Sequence, residues 1–418
     1  MTAFKKSKLG RNLFMFLAVL GPGIITANVD NDAGGITTYS VAGASFGYKL
    51  LWVFIPMTLA LIVVQEMSAR MGAATGKGLA DLIRERFGVR MTLVIMLGLL
   101  IANVGTTVSE FAGVAASTEL FGLSKYISVP LGAFLVWWIV VKNSYKQIER
   151  IFLIASVLFL SYVISGTMAH PPWGTVFKQM MTPTFSFEGH YLTVLIGLIG
   201  TTIAPWMQFY IQSAVVEKGI TPEQYKYSRI DVIFGCFMTD FIALFIVVAC
   251  AATLYEKGIH IETAEQAAIA LKPMAGRWAS TLFAFGLLNA SLFAATILPL
   301  TTAYYVCEAF GLEAGVDKSW QEAPVFYWLF TFLIIIGAGV ILIPNLPLIT
   351  VMLWSQVING ILLPFILIVM LKLINNPDIM GEYVNTSFFN VIAWITTVIT
   401  IGLTIALVVI SLFPNLLG

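Results

Sequence analysis

Two short stretches place polar residues where an apolar span would carry Leu and Val. The first, Asn28-Val29-Asp30-Asn31-Asp32-Ala33-Gly34-Gly35, gathers two carboxylates, two carboxamides and a glycine pair. The second, Thr201-Thr202-Ile203-Ala204-Pro205-Trp206-Met207-Gln208, follows Gly197 and Gly200. A carboxylate at bilayer depth costs at least about 2.5 kcal/mol on insertion scales. Each glycine weakens a helix by roughly 1 kcal/mol. Pro205 removes a backbone donor and frees a carbonyl near Thr201. Both stretches read as interrupted helices whose unwound carbonyls face a cavity; a very tilted helix and a simple proline kink are the plainer alternatives. Asp32 supplies a hard anionic oxygen there, the freed carbonyls supply neutral ones, and Thr201, Gln208 and Gln356 add side-chain oxygens. Oxygen-only sites suit Mg2+, Ca2+ or Mn2+, whereas thiolate, thioether and imidazole suit softer ions. Mg2+ keeps several waters, so few direct ligands suffice. This chemistry points to a cation carrier; an organic-cation or amino-acid carrier fits the same breaks.

The elements that position these residues follow from composition. Of 418 residues, 59% are hydrophobic and 11% charged, against roughly 45–50% and 25% in soluble domains. The solvent is therefore a bilayer, and a soluble enzyme, a disordered chain and a nucleic-acid binder are excluded. The net charge of +1 leaves no polyanion footprint. Cys236, Cys250 and Cys307 form no disulfide framework, and His170, His190 and His260 all lie in or beside polar connections. A span needs about 20 apolar residues, which gives eleven: 13–46, 50–69, 91–120, 127–141, 151–169, 190–216, 230–255, 278–307, 324–343, 348–371 and 387–413. Ala323–Leu371 holds no charge, and Ile343-Pro344-Asn345-Leu346-Pro347 divides it in two. The first span, 34 residues from Leu13 to Phe46, would be about 51 Å long as one helix. No Ala-x-Ala cleavage site follows the first apolar run, so no cleaved signal peptide is expected.

With a cytoplasmic amino terminus, inside segments carry 17 Lys and Arg and outside segments 6, as the positive-inside rule asks. The carboxyl terminus then lies outside. The two interrupted helices are each the first of a five-helix set. Paired breaks in corresponding positions point to an inverted-repeat transporter with a midplane site. The expectation is an all-α membrane protein forming one transporter domain over 1–418. Residues 13–169 and 190–371 are the two repeats and 387–413 an additional helix. The halves share no residue-level similarity, so the repeat rests on hydropathy and breaks alone. Glu66 and Arg70, at i,i+4 near the cytoplasmic end of span two, read as an interfacial pair. Glu110 on span three, and Asp231 and Asp240 on span seven, read equally as relay groups or as buried hydrogen-bonding groups. Met57, Met91, Met96 and Met207 lack thioether-cluster spacing and read as packing.

Further segments resemble the Nramp family of divalent-metal transporters over nearly the whole chain. Gly21-Pro22-Gly23, Asp32 and Gly34, then Gly47-Tyr48-Lys49-Leu50-Leu51-Trp52, resemble the family's first helix and its exit. Gln65, Ser68-Ala69, Gly72 and Leu82-Ile83-Arg84-Glu85-Arg86 resemble the second helix and its loop. Gly286-Leu287-Leu288 and Glu308-Ala309-Phe310 resemble helix eight; Ser355-Gln356-Val357 with Leu363-Pro364-Phe365 resembles helix ten. The resemblance implies a leucine-transporter-like fold, a midplane divalent-cation site and no cofactor beyond the transported Mg2+ or Mn2+. A monomer in the cell membrane is expected, with the metal ion and the bilayer as partners and no nucleic acid.

The departures from that pattern are informative. The family's first-helix signature is Asp-Pro-Gly-Asn, with the Asp and Asn on the metal; here it is Asp32-Ala33-Gly34-Gly35. The sixth-helix signature is Ala-x-x-Met-Pro-His; here Ala204 replaces the thioether and Trp206 the histidine. The next family histidine falls near Gln212, the helix-three aspartate is Thr107, and the helix-nine arginines are missing from Pro324–Phe332. This pattern resembles the Nramp-related magnesium transporter branch. It implies a metal site of Asp32, Gly35, Thr201, Ala204, Gln208 and Gln356, with Asn28, Asp30, Trp206 and Glu110 as accessory candidates. Loss of a thioether and an amide implies a wider, all-oxygen pocket that takes a partly hydrated ion. Without the family's histidines and its second acid, Glu110 has no evident relay partner, which implies uncoupled transport. The alternative is an ordinary proton-coupled Mn2+/Fe2+ carrier. A channel is disfavoured because no filter repeat is present, and an enzyme because no nucleophile–base set is.

Overall fold

The computed structural model describes residues 22–142, 154, 156–316 and 318–413. All regular structure among them is helical. The order is α1 (Pro22–Asp30), α2 (Ala33–Phe46), α3 (Phe54–Thr75), α4 (Leu79–Glu119), α5 (Lys125–Lys142), α6 (Leu160–Met168), α7 (Trp173–Met181), α8 (Gly189–Thr202) and α9 (Pro205–Glu217). Then follow α10 (Tyr225–Thr253), α11 (Ala279–Phe310), α12 (Pro324–Ile341), α13 (Leu348–Ile374) and α14 (Ser387–Leu412), with short helical turns between α10 and α11 and after α13.

Nine helices among the described residues are long and apolar enough to cross a membrane. Two of the eleven expected spans are not among them. The first is split into pieces of 9 and 14 residues, and its stretch 13–21 lies outside the described residues. The fifth is represented by Val157–Met168, its beginning at 151–153 and 155 also lying outside them. So do Lys5, Lys6, Lys8, Arg11, Lys146 and Arg150 of the charge count. The third expected span begins earlier than its apolar run. Leu79–Phe87 is an amphipathic lead-in with Leu82 and Ile83 buried, joined to the rest of α4 at Gly88, whose φ of 75° breaks the helical backbone. The short helix α7 has no counterpart in the hydropathy reading.

The broken helices occupy the centre of the bundle. The most apolar window of α8–α9 is 94% buried, while that of α14 is 17% buried and forms the rim. Every residue from Ala33 to Ala44 on α2 is buried. Around them α11 and α13 pack along α4, α8 packs along α13, and α10 packs against α1, α2 and α3. The α8–α13 contact depends on two glycines. A Cβ on Gly200 would overlap the Gln356 carbonyl and the Gly360 amide, so this crossing brings backbone against backbone, as small residues allow in membrane proteins.

At the end that the loop charges assign to the cytoplasm, Glu66 and Arg70 are 3.1 Å apart with side chains only 4% and 10% exposed. Both side chains are therefore buried within the protein. Tyr225 donates to Glu66, and Arg70 donates to the carbonyls of Tyr383 and Val384 at 2.9 and 3.0 Å and to the Asn385 side chain. The reason is tertiary: α10 and the segment after α13 close over a pair that helix periodicity alone leaves at a helix end. We expect Gly200→Ala to destabilise the protein by the roughly 1–3 kcal/mol typical of overpacking. Thermal melting in detergent checks this, with Gly402→Ala as control, because nothing stands within 4 Å of a Cβ at Gly402.

Candidate metal centre

The first break spans Asn31 and Asp32. Asp32 is extended (φ −71°, ψ −176°) and caps α2: its Oδ1 accepts from the Gly35 amide at 2.5 Å. Its backbone carbonyl accepts from Ile36 at 2.9 Å. The Ala33 amide donates to Glu110 Oε2 at 3.2 Å. A helix amino terminus presents open N–H groups and the positive end of its dipole, and here two carboxyls collect on it. Those of Asp32 and Glu110 are neighbours, 3% and 0% exposed by residue. The sequence reading left Glu110 without a partner; packing of α4 against α2 gives it one, Asp32.

Gln356 on α13 closes another side. Its Nε2 lies 3.3 and 3.4 Å from the two Asp32 oxygens. The orientation of its amide follows from a chain of contacts. The Thr106 hydroxyl donates to Ala102 O at 3.1 Å, so the Asn359 atom 3.1 Å from it is the amine. That same amine meets Gln356 Oε1 at 3.0 Å. Gln356 therefore turns its amine, not its oxygen, toward Asp32. In this arrangement it is a hydrogen-bond donor holding the carboxylate. Asn359 stands three residues from Gln356 on one helix face, a spacing that was available in the sequence and was missed.

The second break spans Ile203 and Ala204. Ala204 is extended (φ −63°, ψ 136°), as a residue before proline prefers, and Pro205 opens α9. The Ala204 carbonyl is not free: it accepts from the Met207 amide and from Gln208 Nε2, each at 3.1 Å. Gln208 Oε1 is buried without a hydrogen-bond partner, so it is the free side-chain acceptor of this segment. Thr202 joins the two breaks, 2.9 Å from the Tyr39 hydroxyl. The Met207 sulfur accepts from Gln65 Nε2 at 3.3 Å, away from the site. Trp206 is buried with its ring against Tyr210, and Asn28 is buried on α1. Asp30 faces α10, where Thr239 donates to it at 2.7 Å. Its side chain thus turns to α10, while its backbone carbonyl stays beside Gly35.

Gly35 is closely surrounded. A Cβ there would lie 2.5 Å from the Asp30 carbonyl, 3.0 Å from Thr201 Oγ1 and 3.2 Å from Asp32 Oδ1. The volume an asparagine would need is occupied by backbone and by Thr201. Among the described residues no group of three or more His, Cys, Asp or Glu side chains could hold a metal. The centre is instead one acidic pair, amides and backbone. Glu110, Gln356 and the Gly34 and Gly35 amides act on Asp32, and Asp30 is a further acidic neighbour.

The comparisons with known proteins agree with this architecture. The family pattern described as Nramp, natural resistance-associated macrophage protein-like, matches residues 23–410. The chain belongs to the Nramp family. It is 26% identical over 395 residues to the divalent metal cation transporter MntH of Yersinia pestis (strain Pestoides F), covering 93% of each chain. It is 27% identical over 412 residues to MntH of Deinococcus radiodurans, covering 94% of this chain and 90% of that one. The fold matches a crystal structure of the Eremococcus coleocola manganese transporter with an aromatic bis-isothiourea substituted compound. That match has a TM-score of 0.75 at 21% identity and covers 94% and 86% of the two chains. It also matches Mhp1, a nucleobase-cation-symport-1 family transporter, with a TM-score of 0.56 at 16% identity over 94% and 91% of the chains. The chain is thus an all-α membrane transporter, not an enzyme.

In this Nramp chain, an asparagine side chain at position 35 would meet the Asp30 carbonyl and Thr201. We expect Gly35→Asn to weaken Mn2+ binding at least about tenfold, roughly 1.4 kcal/mol, measured by titration of purified protein. Tighter binding would mean that the loop around Gly35 yields.

Proposed function

We propose that this chain moves divalent metal ions across the cell membrane, chiefly Mg2+ and also Mn2+, by alternating access and without proton coupling. The supporting observation is the Asp32–Glu110 carboxyl pair, enclosed at a helix amino terminus with amides around it and, among the described residues, in no ion pair. Two buried carboxyls without a basic partner favour a cation of matching charge. The soft donors are elsewhere. Ala204 stands in the family's thioether position, Met207 is held by Gln65, and the three histidines are exposed, His170 and His260 in connections and His190 in the first turn of α8. Hard oxygen chemistry of this kind suits Mg2+ and Mn2+ over softer ions. In these respects the chain resembles the magnesium-transporter branch of the family.

The two five-helix sets, 13–169 and 190–371, are proposed as the inverted repeats that rock around this centre, with 387–413 as an addition. The loop charges support a cytoplasmic amino terminus and an outside carboxyl terminus, and a centre drawn from one chain favours a functional monomer. An inside-negative potential supplies roughly 2.3 kcal/mol per charge per 100 mV, about 4.6 for a divalent ion. That is enough for accumulation without protons.

A second reading, proton-coupled transport of Mn2+ or Fe2+, draws support from one observation. Glu110 lies beside Asp32 and so has the acidic neighbour a relay requires. Liposomes separate the two readings. In the uncoupled case Mg2+ uptake rises with inside-negative potential and internal pH stays level; acidification that tracks metal entry and vanishes without protein supports coupling instead. Asp32→Ala is expected to abolish saturable Mg2+ uptake in the same assay while the purified protein keeps its elution profile. Wild-type uptake by that variant would remove the metal centre from the break.

A further inference from the structure

Behind the Asp32 centre, helix α10 builds a second set of hard oxygens against the hinge between α1 and α2. Thr239 donates to Asp30 Oδ2 at 2.7 Å and accepts from Asn31 Nδ2 at 2.9 Å. These two contacts fix Asp30 and Asn31 against α10. They leave Asp30 Oδ1 and Asn31 Oδ1 buried with no hydrogen-bond partner. The next residue on α10 is Asp240, 4% exposed, and neither of its carboxylate oxygens has a partner. The Thr58 hydroxyl is near Asp240, but it donates to the Phe54 carbonyl at 2.7 Å.

Charge makes the arrangement unusual. Asp240 and Asp32 are the charged groups that act on Asp30, and both are acids. The ion pairs of the described residues include none of Asp30, Asn31, Thr239 and Asp240. On its outer flank Asp240 borders a cavity of about 550 Å3 walled by apolar side chains such as Phe54, Ile55, Phe237 and Phe241. Those walls solvate no carboxylate. Buried polar oxygens are ordinarily hydrogen-bonded or on a metal, and these oxygens have no hydrogen-bond partner.

We propose that Asp30, Asp240 and the Asn31 amide oxygen form a second divalent-cation site, distinct from the Asp32 centre. Two carboxylates neutralise a divalent ion, and an all-oxygen set with room for water is the chemistry of Mg2+ or Mn2+. Cys236, one turn earlier on α10, is a neutral neighbour that the oxygens outnumber. The apolar flank bars a hydrated ion, so the ion enters from the hinge side. Once bound it ties the hinge to α10. The site does not depend on whether the Asp32 centre transports, or on what drives transport.

Counting bound ions tests this. Purified full-length protein in detergent is titrated with Mn2+, and free Mn2+ is read by electron paramagnetic resonance. Wild type is expected to bind two ions per chain, with Mg2+ displacing both. Asp240→Asn and Asp30→Asn are each expected to bind one, the remaining ion showing that the variant is folded. Asp32→Ala is expected to bind one, and Asp32→Ala with Asp240→Asn none. A wild-type count of one, or an Asp240→Asn count equal to wild type, overturns the second site. An Asp32→Ala count equal to wild type leaves the second site standing and overturns the Asp32 centre instead.

Discussion

Breaking two helices inside a low-dielectric bundle opens N–H and C=O groups that hydrocarbon cannot satisfy, and much of this structure answers that constraint. The amides of α2 are taken by the Asp32 side chain, the Asp32 carbonyl and Glu110. The Ala204 carbonyl is taken by Gln208 and Met207. Each answer brings a particular side chain to the centre, so the polar groups that would receive an ion are the ones that keep the broken backbone paired. Structure and function share atoms here. A carboxylate that caps a helix is already oriented, and it is held by donors that leave its charge uncancelled.

Close approach sets the dimensions of the centre. Gly34 and Gly35 on α2 and Gly200 and Gly360 at the α8–α13 crossing let backbone meet side chain or backbone where a methyl would collide. The backbone around Asp32 is therefore closely packed. The Thr106–Asn359–Gln356 chain adds direction, because it turns an amine toward Asp32 and leaves its oxygen engaged behind. Rigid hydrogen-bonded positioning of this kind is what keeps a group within reach of its partner.

One end of the bundle is tied shut by polar contacts among the same helices. Glu66 and Arg70 join α3 to α10 and to the segment after α13. Gln212 on α9 donates to the Lys77 carbonyl at 2.9 Å, and Ser213 to Glu308 at 2.6 Å. These contacts cross between α9, α11 and the turn before α4. Alternating access at that end would have to exchange them for water. Polar contacts of this kind can be exchanged more readily than a packed apolar core can be opened.

Much of this was legible in the chain itself. Hydropathy and the length of apolar runs located the spans, because a bilayer demands long apolar helices wherever the chain crosses. Asp32, Gly34, Gly35 and Pro205 marked the breaks, because those residue types oppose a continuous apolar helix by themselves. The helical lead-in at Leu79–Phe87 and the short helix α7 escaped because they are amphipathic or brief and leave little hydropathy signal. What belonged to tertiary structure was the set of partners. Glu110 reaches Asp32, Asp30 turns to Thr239, Gln356 presents its amine, and the space at Gly35 is filled. Each depends on how helices far apart in sequence cross. Periodicity reports which face of a helix is polar, but it carries no information about which other helix that face will meet.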